Sequence, residues 1–128
     1  MTEKSLGQFG EGVATNYLLR NDYKILEKNY KKPWGEIDIV AKKGKDVIFV
    51  EVKTLFKGDI LPEESVNFQK RKNLIKTART YLWEKKYPEN QNWQIDVIGI
   101  EFIEEDKCRL RHTKNAIADI DISSSLQL

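Results

Sequence analysis

Residues 35–54, with the sequence GEIDIVAKKGKDVIFVEVKT, decide the fold of this 128-residue chain. Two apolar runs rich in β-branched residues, 37–41 and 47–52, flank a charged connection that contains a glycine. This pattern predicts a β-hairpin. Charged residues nevertheless interrupt or border both runs, which otherwise look buried on both faces, where unpaired ionised groups are rare. These charges are Glu36, Asp38, Glu51 and Lys53.

The position of the turn predicts which of these charges face each other. A two-residue loop at residues 44–45 places Asp38 opposite Glu51 and, in the same register, Glu36 opposite Lys53. Because side chains alternate with a period of two, all four project from one face of the hairpin. Opposed residues have Cβ atoms roughly 5 Å apart. Two carboxylates at that separation repel by about 3 kcal/mol at an effective dielectric constant of about 20.

Three arrangements would relieve this repulsion: a raised carboxyl pKa, the nearby Lys53 ammonium, or a bound divalent cation. The alternative to a metal site is a cross-strand ion pair between Glu36 and Lys53, with Asp38 solvated. We favour the metal site, because the flanking residues are too apolar for a wet surface. The ion-pair alternative also leaves Asp38 unexplained opposite Glu51.

Size and composition limit the other interpretations. A chain of 128 residues is long enough for one domain, 1–128, and we expect residues from about 119 to 128 to form a mobile tail. The sequence has neither an apolar run long enough to cross a membrane nor an apolar signal segment, so we expect a cytoplasmic protein with no membrane partner. One cysteine, Cys108, and one histidine, His112, exclude an internal disulfide and a cysteine- or histidine-rich metal site.

An amphipathic helix is predicted before the hairpin, from residue 4 to about residue 20. Its apolar stripe consists of Leu6, Phe9, Gly10, Val13, Ala14, Tyr17 and Leu18. Glu11 lies on the shoulder of this stripe, and Gly7 and Gly10 would allow another element to pack closely beside it. From this helix alone, a solvated charge is the simpler interpretation of Glu11.

A second helix is predicted over residues 65–86, with Leu74, Ile75, Ala78, Tyr81 and Leu82 as its core stripe and Lys70 in line with that stripe. The helix carries a one-sided charge. Between residues 66 and 86 there are seven basic residues and a single acid, whereas the whole chain has a net charge of only +2. A charged helix face is usually just solvated surface. This asymmetry favours an anionic partner such as a phosphate backbone. The expected contacts are Lys70, Arg71, Lys72 and Lys76.

The remaining patterns predict shorter elements. They are a strand at 23–26, a connection at 29–34, a mobile loop at 55–65, strands at 94–102 and 108–112, and a helical turn at 115–118. We interpret Asp96 as a charge at a strand end rather than as a residue of the site.

The order and spacing of these features resemble the YraN family, within the PD-(D/E)xK nuclease superfamily, and are similar to archaeal Holliday-junction resolvases. The resemblance covers about residues 7–118. The matching segments are Gly10-Glu11, Ile25-Leu26 followed by Asn29, GEID at 35–38, FVEVKT at 49–54, Lys70 with Leu74, and Asp96-Val97. The implied fold class is α/β, with a restriction-endonuclease-like core in which a mixed central β-sheet is flanked by helices.

The resemblance also implies roles for individual residues. Asp38 and Glu51 would bind Mg²⁺ or Mn²⁺ with the Val52 backbone carbonyl, and Lys53 would be the catalytic lysine. Glu11 would complete the catalytic set and is a further candidate metal ligand, with Glu36 in support. Two positions depart from the usual pattern, Gln94 and Leu55, where basic residues are common. Neither is a proposed metal ligand, so both bear on nucleic-acid contacts instead.

The predicted function is a metal-dependent endonuclease that hydrolyses phosphodiester bonds in DNA, with branched or damaged DNA as candidate substrates. The first alternative is a non-catalytic nucleic-acid-binding module that retains a nuclease-like fold. The second is a partner-binding domain that uses the basic helix as its contact surface. Since junction resolvases act as symmetric dimers, the resemblance suggests a homodimer. It leaves DNA and RNA as alternatives.

Overall fold

The computed structural model describes residues 3–56, 67–104 and 107–117. The elements follow in the order α1 (Glu3–Arg20), β1 (Lys24–Lys32), β2 (Gly35–Lys43), β3 (Asp46–Phe56), α2 (Phe68–Glu84), β4 (Trp93–Glu104) and β5 (Lys107–Thr113). The five strands form one sheet in sequence order. Strands β3 and β4 are parallel, and the other neighbours are antiparallel. The predicted mixed sheet is therefore confirmed.

The two helices cover opposite faces of this sheet. Val47 and Phe49 of β3 belong to the hydrophobic cluster that includes α2 residues, while Ile48 and Val50 belong to the cluster that includes α1 residues. Because strand side chains alternate between faces, these two clusters lie on opposite sides. Phe49 and Val50 are completely buried, so β3 is the centre of both cores.

The hairpin has the register that the sequence predicts. Pairing between β2 and β3 runs from Lys43 with Asp46 at the turn to Ile39 with Val50. Gly44 has a φ angle of 60°, a left-handed conformation that glycine adopts without strain. The two strands end their regular pairing one residue before Asp38 and Glu51 would meet.

Strand β1 is longer than predicted. The expected connection at 29–34 is wrong, since β1 continues to Lys32 and only a short turn leads to Gly35. Asn29 has a φ angle of 55° and lies between two paired positions, Lys28 and Tyr30. This left-handed residue interrupts the alternation and allows Tyr30 to be buried in the α2-side core. The asparagine itself indicated this irregularity in the strand, because asparagine tolerates the left-handed conformation better than most residues.

Helix α1 confirms most of its predicted stripe but not Phe9. The Phe9 side chain is 47% exposed, and its ring packs against Phe102 with 5.5 Å between ring centres. The prediction of close packing is right for Gly10, where an added Cβ would overlap Thr54 Oγ1. It is wrong for Gly7, because a Cβ there would have no neighbour within 4 Å.

Helix α2 begins at Phe68 rather than at residue 65. Asn67 caps it, with the side-chain oxygen accepting a hydrogen bond from Lys70 N at 2.9 Å. The predicted loop at 55–65 starts too early, because residues 55 and 56 belong to β3; from residue 57 onward it lies outside the described residues.

The C-terminal predictions are confirmed in part. Strand β5 is the predicted edge strand. The described part of the expected helical turn, up to residue 117, is a turn and a bend instead, and the predicted tail falls outside the described residues. In the described segments, no helix combines the length and apolarity that crossing a membrane requires.

Candidate functional site: a carboxylate pair beside two lysines

The structure brings Asp38 and Glu51 together where β2 and β3 stop pairing. Val52 N donates a hydrogen bond to Asp38 Oδ2 at 2.7 Å, so the Asp38 side chain occupies the place of a backbone partner. The two carboxyls are close enough for the Asp38 charge to raise the pKa of Glu51. Glu51 is 7% exposed and Asp38 is partly buried. The predicted juxtaposition of these two carboxyls is therefore present.

Both carboxyls have raised pKa values. Burial raises the pKa of Glu51 to about 7, and the neighbouring Asp38 charge adds to the rise. Burial also raises the pKa of Asp38, against the opposing effect of the Val52 hydrogen bond. Both shifts have the direction that was predicted as one relief of the repulsion.

Two lysines supply the remaining compensation. Glu51 Oε1 lies 3.3 Å from Lys70 Nζ and 3.9 Å from Lys53 Nζ. Burial lowers the pKa of Lys53, and contact with Lys70 lowers it further. Burial also opposes the charge on Lys70, but contact with Lys53 and the charges of Glu51 and Asp38 outweigh it and raise the Lys70 pKa. Lys70 is therefore the more readily protonated of the two lysines.

The contact between Lys70 and Glu51 was not predicted from the sequence, although Lys70 was placed in line with the apolar stripe of α2. The sequence predicted a phosphate contact for this residue, whereas the structure aims it at Glu51. The available signal was its spacing, since Lys70 precedes the buried Leu74 by one helical turn and shares its face. The other three predicted basic contacts lie further round α2. Lys72 and Lys76 are exposed and Arg71 is partly exposed.

Glu11 and Glu36 meet through Asn29. In the amide orientation that satisfies both carboxylates, Asn29 Nδ2 donates to Glu11 Oε1 at 2.9 Å and to Glu36 Oε1 at 3.2 Å. Burial raises the pKa of Glu11, and the Asp38 charge is the next cause. The structure therefore places Glu11 close enough to feel the charge of Asp38. It is not the fully solvated charge that the helix alone suggested. With Glu36 against Asn29 and Lys53 against Glu51, a simple Glu36–Lys53 ladder does not describe the site.

A cleft adjoins the carboxylate pair. It has a volume of about 290 Å³ and lies between the β1–β2 turn and the first turns of α2. Its lining residues are Trp34, Gly35, Glu36, Asn67, Gln69, Lys70, Asn73 and Leu74. The floor is tight, because a Cβ added at Gly35 would come within 2.7 Å of Thr77 Oγ1. Lys70 and Glu36 belong to both the cleft and the charged cluster.

Asp96 lies in a separate network, and its interpretation as a strand-end charge is wrong. It is completely buried and accepts hydrogen bonds from Gln94 Nε2 at 2.8 Å, from the His112 ring at 2.7 Å and from Asn115 N at 2.9 Å. The other His112 ring nitrogen is 2.9 Å from the Tyr17 hydroxyl. This network joins α1, β4 and β5.

The donor atoms of the carboxylate pair suit a hard divalent cation. Within the described ranges, no three His, Cys, Asp or Glu side chains form a group arranged to hold a metal ion. Mg²⁺ is, however, commonly bound through one or two carboxylates, with water and substrate phosphate completing its shell. The carboxylates of Asp38 and Glu51 provide such a set once both are deprotonated.

Comparisons with known proteins identify relatives along most of the chain. The profile described as "Uncharacterised protein family UPF0102" matches residues 10–100. A UPF0102 protein of Clostridium beijerinckii is 43% identical over 115 residues, covering 88% of this chain and 93% of the relative. One from Clostridioides difficile is 44% identical over 119 residues, covering 91% and 99%.

Among solved structures, "The structure of Pyrococcus Furiosus SfsA in complex with Ca2+" aligns with a TM-score of 0.39 and 14% identity. The alignment covers 87% of this chain and 63% of that protein. A similarity this low supports no argument about activity.

Proposed function

This chain belongs to the uncharacterised protein family UPF0102, and from its site we propose that it is a metal-dependent nuclease that hydrolyses phosphodiester bonds. UPF0102 is the YraN family, so membership confirms the resemblance to YraN proteins that was seen in the sequence. The observation that supports the proposal best is the pair of neighbouring carboxyls, Asp38 and Glu51, held beside Lys53. DNA as the substrate, a homodimeric assembly and a cytoplasmic location stay predictions.

In this proposal Asp38 and Glu51 hold Mg²⁺ or Mn²⁺, and the backbone carbonyl of Val52 is a third candidate ligand. A bound ion of this kind polarises a phosphate and lowers the pKa of a coordinated water. Ligand carboxyls must be deprotonated, so metal binding competes with the protonation that the raised pKa of Glu51 favours. The hydrogen bond from Val52 N fixes Asp38 Oδ2 and leaves Asp38 Oδ1 to face a ligand.

Lys53 has the position and environment of a transition-state stabiliser. Its ammonium lies beside Glu51, and burial together with Lys70 disfavours its charged form. A partly desolvated ammonium gains more from new negative charge than a solvated one does. Lys53 therefore orients the attacking water and stabilises charge that develops on the phosphate oxygens.

Glu11 and the outer lysines complete the proposed machinery. Glu11 is held by Asn29 and senses the Asp38 charge, so it is placed to orient water or to add a ligand. Lys72 and Lys76 lie exposed on α2 and supply phosphate contacts that position the strand.

The non-catalytic binding module stays as the second candidate because of one observation. Lys70 Nζ lies 3.3 Å from Glu51 Oε1, so the pair is already partly neutralised by the protein itself. If Lys70 keeps this position permanently, Glu51 has less need of a metal ion. The basic α2 surface would then bind nucleic acid without cleavage.

A direct assay separates the two candidates. The purified protein is incubated with branched, flapped, single-stranded and duplex DNA, and with matched RNA, in Mg²⁺, Mn²⁺ or EDTA. The nuclease proposal predicts cleavage of at least one substrate with a metal ion and none in EDTA. Binding without cleavage on every substrate would favour the module.

A further inference from the structure

The cleft beside the carboxylate pair has the composition of a nucleobase site. Nucleobases are planar and carry hydrogen-bond donors and acceptors at their edges, and proteins hold them with aromatic rings and amide side chains. Trp34 provides an aromatic wall, and Asn67, Gln69 and Asn73 provide three amides. Leu74 adds an apolar surface at the inner end. A base is therefore a better match than a phosphate, which would need several fixed cations.

Trp34 is the most informative residue of this cleft. Its indole Nε1 is buried, and no atom of the described residues accepts its hydrogen. Buried N–H groups normally have partners, and an unsatisfied one costs about 1–3 kcal/mol. Lys76 Nζ lies 4.2 Å from the centre of the same ring, which restrains the indole. The ring is thus held in place as a wall of the cleft.

The amide groups are also available for recognition. Gln69 Nε2 donates to Asn73 Oδ1 at 3.0 Å, which leaves the Asn73 amide hydrogens and the Gln69 oxygen free to face a base edge. Asn67 is different, since its oxygen caps α2 through Lys70 N. Gln69 and Asn73 are therefore the candidates for hydrogen bonding to the base, whereas Asn67 lines the cleft and caps α2.

Lys70 connects the cleft to the carboxylate pair. Its side chain lines the cleft, while its ammonium lies 3.3 Å from Glu51 Oε1. A phosphate located at the pair therefore has the cleft next to it, within reach of the adjoining nucleotide. Paired bases inside a duplex are stacked and cannot enter such a cleft without leaving the helix.

We propose that this cleft binds the base of an unpaired nucleotide next to the cleaved phosphate. The substrate class is thus single-stranded nucleic acid, or a duplex with an unpaired nucleotide at a flap, branch or lesion. Only the cleavage of the neighbouring phosphate rests on the proposed nuclease function, since base binding itself needs neither metal nor hydrolysis.

The test measures binding in EDTA by fluorescence anisotropy. Three probes of equal length are compared: an ordinary single strand, a single strand in which every base is missing, and a blunt duplex. The parent should bind the ordinary strand at least about fivefold more tightly than the abasic strand, which is the lower end for one stacked base. Trp34→Leu should reduce this ratio below about twofold and leave abasic-strand affinity unchanged.

Trp83→Leu is the matched control. Trp83 is 79% exposed near the opposite end of α2 and does not line the cleft. It should keep the parental ratio. If Trp34→Leu unfolds, Gln69→Ala is tested instead, because Gln69 is exposed and its replacement should leave the fold intact. Gln69→Ala should lower the ratio of ordinary-strand to abasic-strand affinity by about twofold, the scale of one lost neutral hydrogen bond.

The inference is overturned if the parent binds ordinary and abasic strands equally, or if the folded variant weakens both by the same factor. These outcomes are independent of cleavage. A protein that distinguishes the two strands but hydrolyses nothing refutes the nuclease proposal alone. One that hydrolyses DNA in Mn²⁺ without distinguishing them refutes the base site alone.

Discussion

Two buried carboxylates lie on adjacent strands, and their surroundings differ in kind. Asp96 of β4 is 0% exposed and Glu51 of β3 is 7% exposed, and they are offset by only one position in the β3–β4 register. Asp96 accepts hydrogen bonds from Gln94, His112 and the Asn115 backbone. Glu51 instead faces another carboxyl and two flexible lysines.

The difference indicates which carboxylate is available for chemistry. The partners of Asp96 are a ring, an amide and a backbone group, all fixed by packing, so replacing them with a ligand would be costly. Glu51 instead lies against the Asp38 carboxyl and against Lys53 and Lys70, whose flexible stems can move aside. This difference supports our proposal that Asp96 serves stability and that Glu51, with Asp38, serves function.

The largest expected effect is on cleavage by Lys53→Met. This change removes the ammonium but keeps most of the side-chain stem, so the protein should fold and bind metal and nucleic acid. Cleavage should fall by at least about a hundredfold, the scale of one lost transition-state stabiliser. Single-turnover kinetics measure it, with the exposed Lys24→Met as a control. Parental rates in Lys53→Met would remove Lys53 from the mechanism.

Asp96→Ala should affect stability instead. It leaves the hydrogen-bond donors of Gln94, His112 and Asn115 without their acceptor, which should cost about 3 kcal/mol or more of unfolding free energy. Urea denaturation measures the loss, and the exposed Glu89→Ala should change stability by less than about 0.5 kcal/mol. Full stability of Asp96→Ala would contradict the stabilising role that distinguishes Asp96 from Glu51.

The carboxylate pair should make metal-free stability depend on pH. The pKa of Glu51 is raised from 4.5 to about 7, so the folded protein binds the proton more tightly than the unfolded chain does. Stability is therefore fully present below about pH 4.5 and declines as the pH rises towards 7, by at most about 3 kcal/mol. Glu51→Gln should flatten this decline in EDTA, whereas Glu89→Gln should not. Parallel pH profiles of stability for the parent and Glu51→Gln would contradict the raised pKa of Glu51.

The smallest effect concerns the basic surface. If Lys72 and Lys76 contact phosphates, replacing both with glutamate should lower the slope of log affinity against log salt by about one to two. Lys24→Glu with Lys45→Glu makes the same change in net charge on β1 and the hairpin turn. An equal change of slope in both pairs would indicate a diffuse electrostatic effect rather than a site on α2.

The sequence predicted the hairpin well because local rules determine it. A glycine turn and a period of two are sufficient to place Asp38 opposite Glu51, and the structure has this register. The apolar spacing of α2 likewise predicted Leu74, Ile75, Ala78 and Tyr81, all of which are buried.

The missed features depend on contacts between distant parts of the chain. Asp96 meets His112 only because β5 pairs with β4 in one particular register, which composition does not determine. Phe9 has helical spacing typical of a core residue, but its ring packs against Phe102 of β4 at the surface and remains exposed. The turn of Lys70 towards Glu51 follows from the way α2 crosses the sheet.

Metal binding by the parent and by Asp38→Asn is the most direct test of the central claim, that the carboxylate pair is a functional metal site. The thermal midpoint of each protein is measured at pH 8, with millimolar Mn²⁺ and with EDTA. Preferential binding to the folded state should raise the parental midpoint, since an ion at a hundred times its dissociation constant adds about 2.7 kcal/mol. Asp38→Asn should show no rise. An unchanged parental midpoint, or an equal rise in Asp38→Asn, would contradict the account.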